Sequence, residues 1–157
     1  MAQALVVFDS SHHETRLAAE EIAVGISRTA RVVAVVSSWK DLSAEKVEAS
    51  GIVVLGSPAS AREAAREVHE LAAVLIAGAL DRKTVSVFDA GTTSRYGAGA
   101  RKLRESLQDA DPALHLASPG ISVVVNRSSG ELPDSEVARC RQFGEHLAGI
   151  AAATGVT

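Results

Sequence analysis

The sequence predicts an α/β domain built on a doubly wound, five-stranded parallel sheet with helices on both faces. Three observations carry this expectation. Five short apolar, β-branched runs recur along the chain, helix-like segments alternate with them, and the 157 residues suffice for one domain with a sizeable core. Strict strand–helix alternation implies right-handed crossovers, and hence parallel strands covered on both faces.

The elements follow in order. Ala4 to Phe8 is continuous and apolar enough for a strand buried on both faces. Leu17, Ala18, Ile22 and Ile26 then recur at helical spacing, so a first helix is expected near Thr15 to Arg28. Val32 to Val36 is the second strand, followed by a short, weak helix near Ser43 to Glu48. Ile52 to Leu55 is the third strand. A strong helix near 61–80 carries a stripe of Ala64, Val68, Leu71, Ala72, Leu75 and Ala79. Thr84 to Phe88 is the fourth strand, and Gly99 to Leu107 the fourth helix. The stretch bracketed by Pro112 and Pro119 is ambiguous, and Leu114 to Ala117 could form a short extra strand. Ile121 to Val125 is the fifth strand. The last helix runs from about Asp134 to Ala153, with Asp134 or Ser135 suited to its N-cap and Val137, Cys140, Gly144, Leu147 and Ala151 forming its stripe. No linker, repeat or low-complexity tract divides the chain, so a single domain over 1–157 is expected.

Composition narrows the function. The formal net charge is −3 and the Lys and Arg residues are scattered, so nucleic acid is not an expected partner. The single cysteine, Cys140, excludes an internal disulfide or a Cys-based metal cluster within one chain. Inside a helix it reads as a buried, inert thiol. The chain opens on a core strand rather than an export signal, and no apolar run approaches the ~20 residues needed to span a bilayer. A cytoplasmic protein without a membrane partner is the expectation.

In a sheet of this kind ligands bind beyond the carboxyl ends of the strands, where strand order reverses. Three loops stand at that edge. The first, Ser10-Ser11-His12-His13-Glu14-Thr15, delivers the chain to a helix N-terminus, whose unpaired N–H groups and dipole suit an anion. With its hydroxyls it is a candidate phosphate cradle. Ser11 and Glu14 also match a capping box, S-x-x-E, which would bind nothing. The second, Gly56-Ser57-Pro58-Ala59-Ser60, reads as a turn kinked at Pro58. The third runs from Asp89 through Gly91, Thr92, Thr93, Ser94 and Arg95 to Tyr96 and Gly99, is Gly-rich, and carries the only tyrosine.

Other constellations are weaker. Adjacent His12 and His13 rarely present both rings to one ion, and nothing places His69, His115 or His146 beside them. Asp9, Ser10 and His13 lie too close in sequence for a hydrolytic triad, and no G-x-S-x-G elbow exists. Trp39 is expected to pack over the weak second helix, with a docking role as the alternative. Arg101, Lys102 and Arg104 read as a solvated helix face that could also steer an acidic partner.

With these residues in view, the chain resembles the flavodoxin-like family, and most of all the flavodoxin-like module of flavo-diiron proteins. Phe8-Asp9-Ser10, closed by Thr15, is similar to the family's aromatic-Asp-Ser entry into its FMN phosphate loop. His13 falls where the flavo-diiron branch often has histidine. Leu55-Gly56-Ser57-Pro58 resembles the second flavin loop, with Ala59 in place of the usual threonine. Val87-Phe88 resembles the lead into the third. Leu132-Pro133 with Cys140-Arg141-Gln142-Phe143-Gly144 resembles the closing helix.

The resemblance implies strand order 2-1-3-4-5 and a small FMN-binding electron-transfer protein with a redox partner protein. It places phosphate on Ser10, Ser11, His13 and Thr15, in a cofactor-binding loop that also includes His12 and Glu14. The flavin ring would lie between Ser57, Pro58, Ala59 and Ser60 on one side and Gly91, Thr92, Thr93 and Tyr96 on the other. Two features depart from the family. Glu14 stands where a neutral residue is usual, and a carboxylate about 5 Å from a phosphate dianion costs on the order of 1–3 kcal/mol. The second loop also lacks an aromatic residue. A flavin-free domain with an interaction or regulatory role, or a flavin-dependent oxidoreductase, are the alternatives; no acid–base pair favours the latter.

Overall fold

The structure, a computed structural model, describes residues 2–8, 13–28, 32–59, 80–92 and 97–154. Five strands form one sheet: β1 (Ala2–Phe8), β2 (Val32–Ser38), β3 (Ile52–Pro58), β4 (Thr84–Gly91) and β5 (Ile121–Val124). The described helices are α1 (His13–Ser27), the five-residue α2 (Ala44–Glu48), α3 (Ala98–Ala110) and α4 (Asp134–Thr154), with a 3-10 turn at Trp39–Asp41. The helix expected near 61–80 lies outside the described residues apart from Leu80.

Every strand pair is parallel, in the order β2-β1-β3-β4-β5. Because successive side chains in a strand point to opposite faces, each apolar run feeds two cores. Ala4 and Val6 of β1, Ile52 and Val54 of β3, and Phe88 and Ala90 of β4 pack with Ile22 and Ile26 of α1 and with Cys140, Phe143 and Leu147 of α4. Leu5, Val7, Val53, Leu55, Val85 and Val87 face the other way, with Trp39, Val47 of α2 and Leu103 and Leu107 of α3. Trp39 thus belongs to the core beside α2; it is not a free docking side chain.

The α1–α4 layer closes at two glycines. A Cβ on Gly25 would sit 2.0 Å from the Arg141 carbonyl oxygen, and one on Gly144 would sit 2.2 Å from that of Ile22. Glu21 and Arg141 pair across the same crossing at 2.7 Å.

Three expectations are corrected. Gly56, Ser57 and Pro58 do not form a turn. They extend β3 and pair in register with Phe88, Asp89 and Ala90, which extend β4. Proline is tolerated there because β1 pairs with β3 only as far as Leu55, so no ladder bond is lost at Pro58. Leu114 to Ala117 forms no strand: β5 already occupies the outer side of β4 from Phe88 onward, and among the described residues the segment gives the earlier half of β4 one backbone bond, from the Ala117 N–H to the Val85 carbonyl at 2.8 Å. Asp134 falls in the first turn of α4 and not at its cap.

Candidate functional site

The carboxyl ends of β1, β3 and β4 lie side by side, so the topology brings the three loops to one edge. Each approaches that edge differently.

After β1 the next described element is α1, whose first residues are His13, Glu14 and Thr15. His13 is exposed, Glu14 half-buried and Thr15 fully buried. Arg16, the cation in the same turn, pairs with Glu20 at 3.0 Å rather than with Glu14, and its guanidinium lies 6.0 Å from the Phe8 ring centre. Glu14 therefore contributes negative charge to a helix start that otherwise favours anions. Ser10, Ser11 and His12 lie outside the described residues, and the capping box with them.

The described ends of β3 and β4 meet at two very small residues, Ala59 and Gly91. The Ala59 N–H donates to the Ala90 carbonyl at 3.1 Å. A Cβ on Gly91 would lie 2.8 Å from that of Ala59, so the two strand ends touch and a side chain at position 91 would force them apart. Ala59 and Gly91 thus form a low floor between the second and third loops. Ser57, by contrast, is fully buried and its hydroxyl donates to the Pro58 carbonyl at 2.9 Å. Thr92 is half-buried at the mouth. Ser60, Thr93 and Tyr96 lie outside the described residues.

The sequence did not single out the carboxylate beneath this floor. Helix α3 starts after Gly97, which sits at φ 84 and has no side chain to cap the first turn. Asp89, at the end of β4, supplies the cap from a distance: its carboxylate accepts a 2.8 Å bond from the Ala100 N–H. Burial pushes the Asp89 carboxyl up, opposed by the N–H groups of Ala100 and Gly99, the Ser122 hydroxyl and the Arg104 charge. Gly99 makes the fit possible, since a Cβ there would lie 2.0 Å from the Pro58 carbonyl oxygen. The legible signal was a lone acid closing an apolar strand, followed by a helix whose own cap position holds glycine.

On FMN the residues present fit in two respects. The first turn of α1 offers N–H donors at the edge where phosphate would sit, and the Ala59–Gly91 contact keeps the described ends of β3 and β4 free of bulky side chains. Among the described residues no three His, Cys, Asp or Glu side chains gather to hold a metal ion. No described helix is long and apolar enough to cross a membrane.

A parallel sheet in this order with helices on both faces is the flavodoxin-like fold. Solved structures share it across nearly the whole chain. A flavodoxin from the domain Archaea superposes with a TM-score of 0.74 at 19% identity, covering 94% of this chain and 96% of that one. Flavodoxin 1 from Bacillus cereus gives 0.71 at 20%, covering 94% and 98%. A metal-soaked flavodiiron core from Synechocystis gives 0.73 at 20%, covering 97% of this chain and 36% of that one. At these identities the likeness establishes the fold. No protein-family profile and no curated protein sequence matches the chain.

Proposed function

We propose that this protein binds FMN at the carboxyl edge of its sheet and carries electrons to or from a redox partner protein. The observation that supports it best is the contact between Ala59 and Gly91, which lays a floor of minimal side chains between two loops beside the α1 N-terminus. When bound, the flavin would supply the redox chemistry, and the protein would set its potential through hydrogen bonds, dielectric and charge.

In this reading Ser10, Ser11, His13 and Thr15, with the first-turn N–H groups of α1, hold the phosphate. Ala59 and Gly91 support the ring, and Pro58 stiffens the approach to it. Asp89 holds α3, and through it the far end of the third loop, against β3 and β5. Arg101 and Lys102 on α3 offer positive charge to an acidic partner, whereas Arg104 is committed to the Pro119 carbonyl.

Glu14 supports a second reading, a flavin-free flavodoxin-like domain with an interaction role, because its carboxylate stands in the first turn without Arg16 to offset it. Mixing the purified protein with FMN and desalting separates the two. Co-eluting flavin absorbance supports the carrier, and its complete loss at high protein concentration supports the flavin-free domain.

A further inference from the structure

The two edges of the sheet are treated differently. At β5 the outward Val124 N–H donates to Glu136 at 2.8 Å, and Arg139 caps the Ser122 carbonyl at 3.1 Å while pairing with Glu136 at 2.6 Å. Open edges invite pairing with another strand, and this one is closed by side chains of α4. At the opposite edge lies β2, seven residues of sequence VVAVVSS without Pro, Gly or charge. Among the described residues no side chain of another element bonds to its backbone, and only the Ser37 hydroxyl turns to the Ser38 carbonyl at its end. Val33 and Val35 are 47% and 38% exposed.

We propose that β2 is a self-association edge, pairing antiparallel with β2 of a second copy about a two-fold axis beside Ala34. Three features point to a copy of this chain rather than a foreign strand. First, Val32-Val33-Ala34-Val35-Val36 reads the same in both directions. A two-fold at Ala34 therefore sets Val33 opposite Val35 of the other copy, twice, and merges the exposed valines into one strip. An interface on such an axis must be self-complementary, and this one is.

Second, the neighbouring helix obeys the same centre. A groove of about 360 Å³ between α1 and β2 is lined by Glu20, Ala23, Val24, Ser27, Arg28 and Ala34. Val24, 41% exposed, thus sits beside Ala34. Antiparallel strands joined in one sheet keep both α1 helices on the same face, running in opposite directions.

Third, charge is complementary about that centre. Glu20 and Arg28 lie four residues, about one turn, on either side of Val24. The two-fold therefore brings Glu20 of each copy toward Arg28 of the other. Within one chain these groups pair with Arg16 and Glu145, but both pairs are exposed and exchange at little cost. The association uses the edge separated from β3 and β4 by β1 and does not depend on flavin binding.

Sedimentation equilibrium on the full chain tests the proposal, with circular dichroism as the check on folding. The wild type is expected to reach twice its 16.3 kDa mass as concentration rises. Val33→Lys/Val35→Lys should be monomeric. Glu20→Arg and Arg28→Glu should each weaken the dimer roughly tenfold at low salt, and the combined Glu20→Arg/Arg28→Glu variant should recover wild-type affinity. The charge reversals lie on an exposed face and carry the test should the lysine variant fail to fold. A wild type monomeric at every concentration overturns the proposal. So does a dimer that survives in a folded lysine variant, or a combined reversal that fails to recover.

Discussion

The Asp89 carboxylate at the end of β4 accepts a 2.8 Å hydrogen bond from the Ala100 N–H in the first turn of α3. This one contact replaces the cap that Gly97 cannot provide, and it ties the far end of the third loop to the sheet. Removing it should be costly. Asp89→Leu leaves buried N–H groups unpaired and is expected to lose about 1–3 kcal/mol in urea unfolding, whereas Asp89→Asn keeps an acceptor and should lose less.

The same residue predicts a pH dependence of definite sign. Burial raises the Asp89 carboxyl above its ordinary value of 3.8, so the folded state holds this proton more tightly than the unfolded chain. Its contribution to stability is therefore greatest below that value, declines as pH rises toward the raised folded value, and is level above it. Asp89→Asn should remove this component. Unfolding curves across the acid range check it, and an unchanged difference between parent and variant at every pH would contradict the assignment.

The α1–α4 crossing makes two glycines unequal. Gly144→Ala drives a methyl to 2.2 Å from the Ile22 carbonyl oxygen and is expected to cost about 1–3 kcal/mol or more. Gly149, one and a half turns along the same helix, has nothing within 4 Å of its added Cβ. Gly149→Ala should stabilise by roughly 0.5–1 kcal/mol through the helix propensity of alanine. Thermal melts of the two variants should move in opposite directions.

Cys140 is fully buried and its thiol is pushed up to about 12, chiefly by burial. At neutral pH it is a protonated thiol, and the thiolate is the reactive form. Labelling by a water-soluble disulfide reagent should be negligible in native protein and complete after denaturation. Rapid labelling of the native state would mean that α4 opens locally.

The strand cores were legible because Ala, Val, Leu and Ile runs leave little choice about what is buried: the first four strands contain every residue expected of them, and β5 stops at Val124, one residue short of the expected Val125. Their ends were not legible. Gly56-Ser57-Pro58 carries turn chemistry in isolation, yet pairing with Phe88-Asp89-Ala90 holds it extended. That same register creates the Ala59–Gly91 contact, which depends on two segments some thirty residues apart and leaves no local trace. Asp89 was visible as the start of a loop, but its role as a cap depends on Gly99 admitting α3 against β3. Leu114 to Ala117 looked like a strand because it is apolar, whereas only Ala117 bonds to β4.

The most direct test of the proposed flavin site is fluorescence titration of FMN against the parent protein and Glu14→Asn. Removing a carboxylate from the first turn of α1 should tighten binding by roughly ten- to a hundredfold, from 1–3 kcal/mol of repulsion relieved. Saturable quenching is expected in both proteins, stronger in Glu14→Asn. Unquenched FMN at millimolar concentration in both proteins would contradict it.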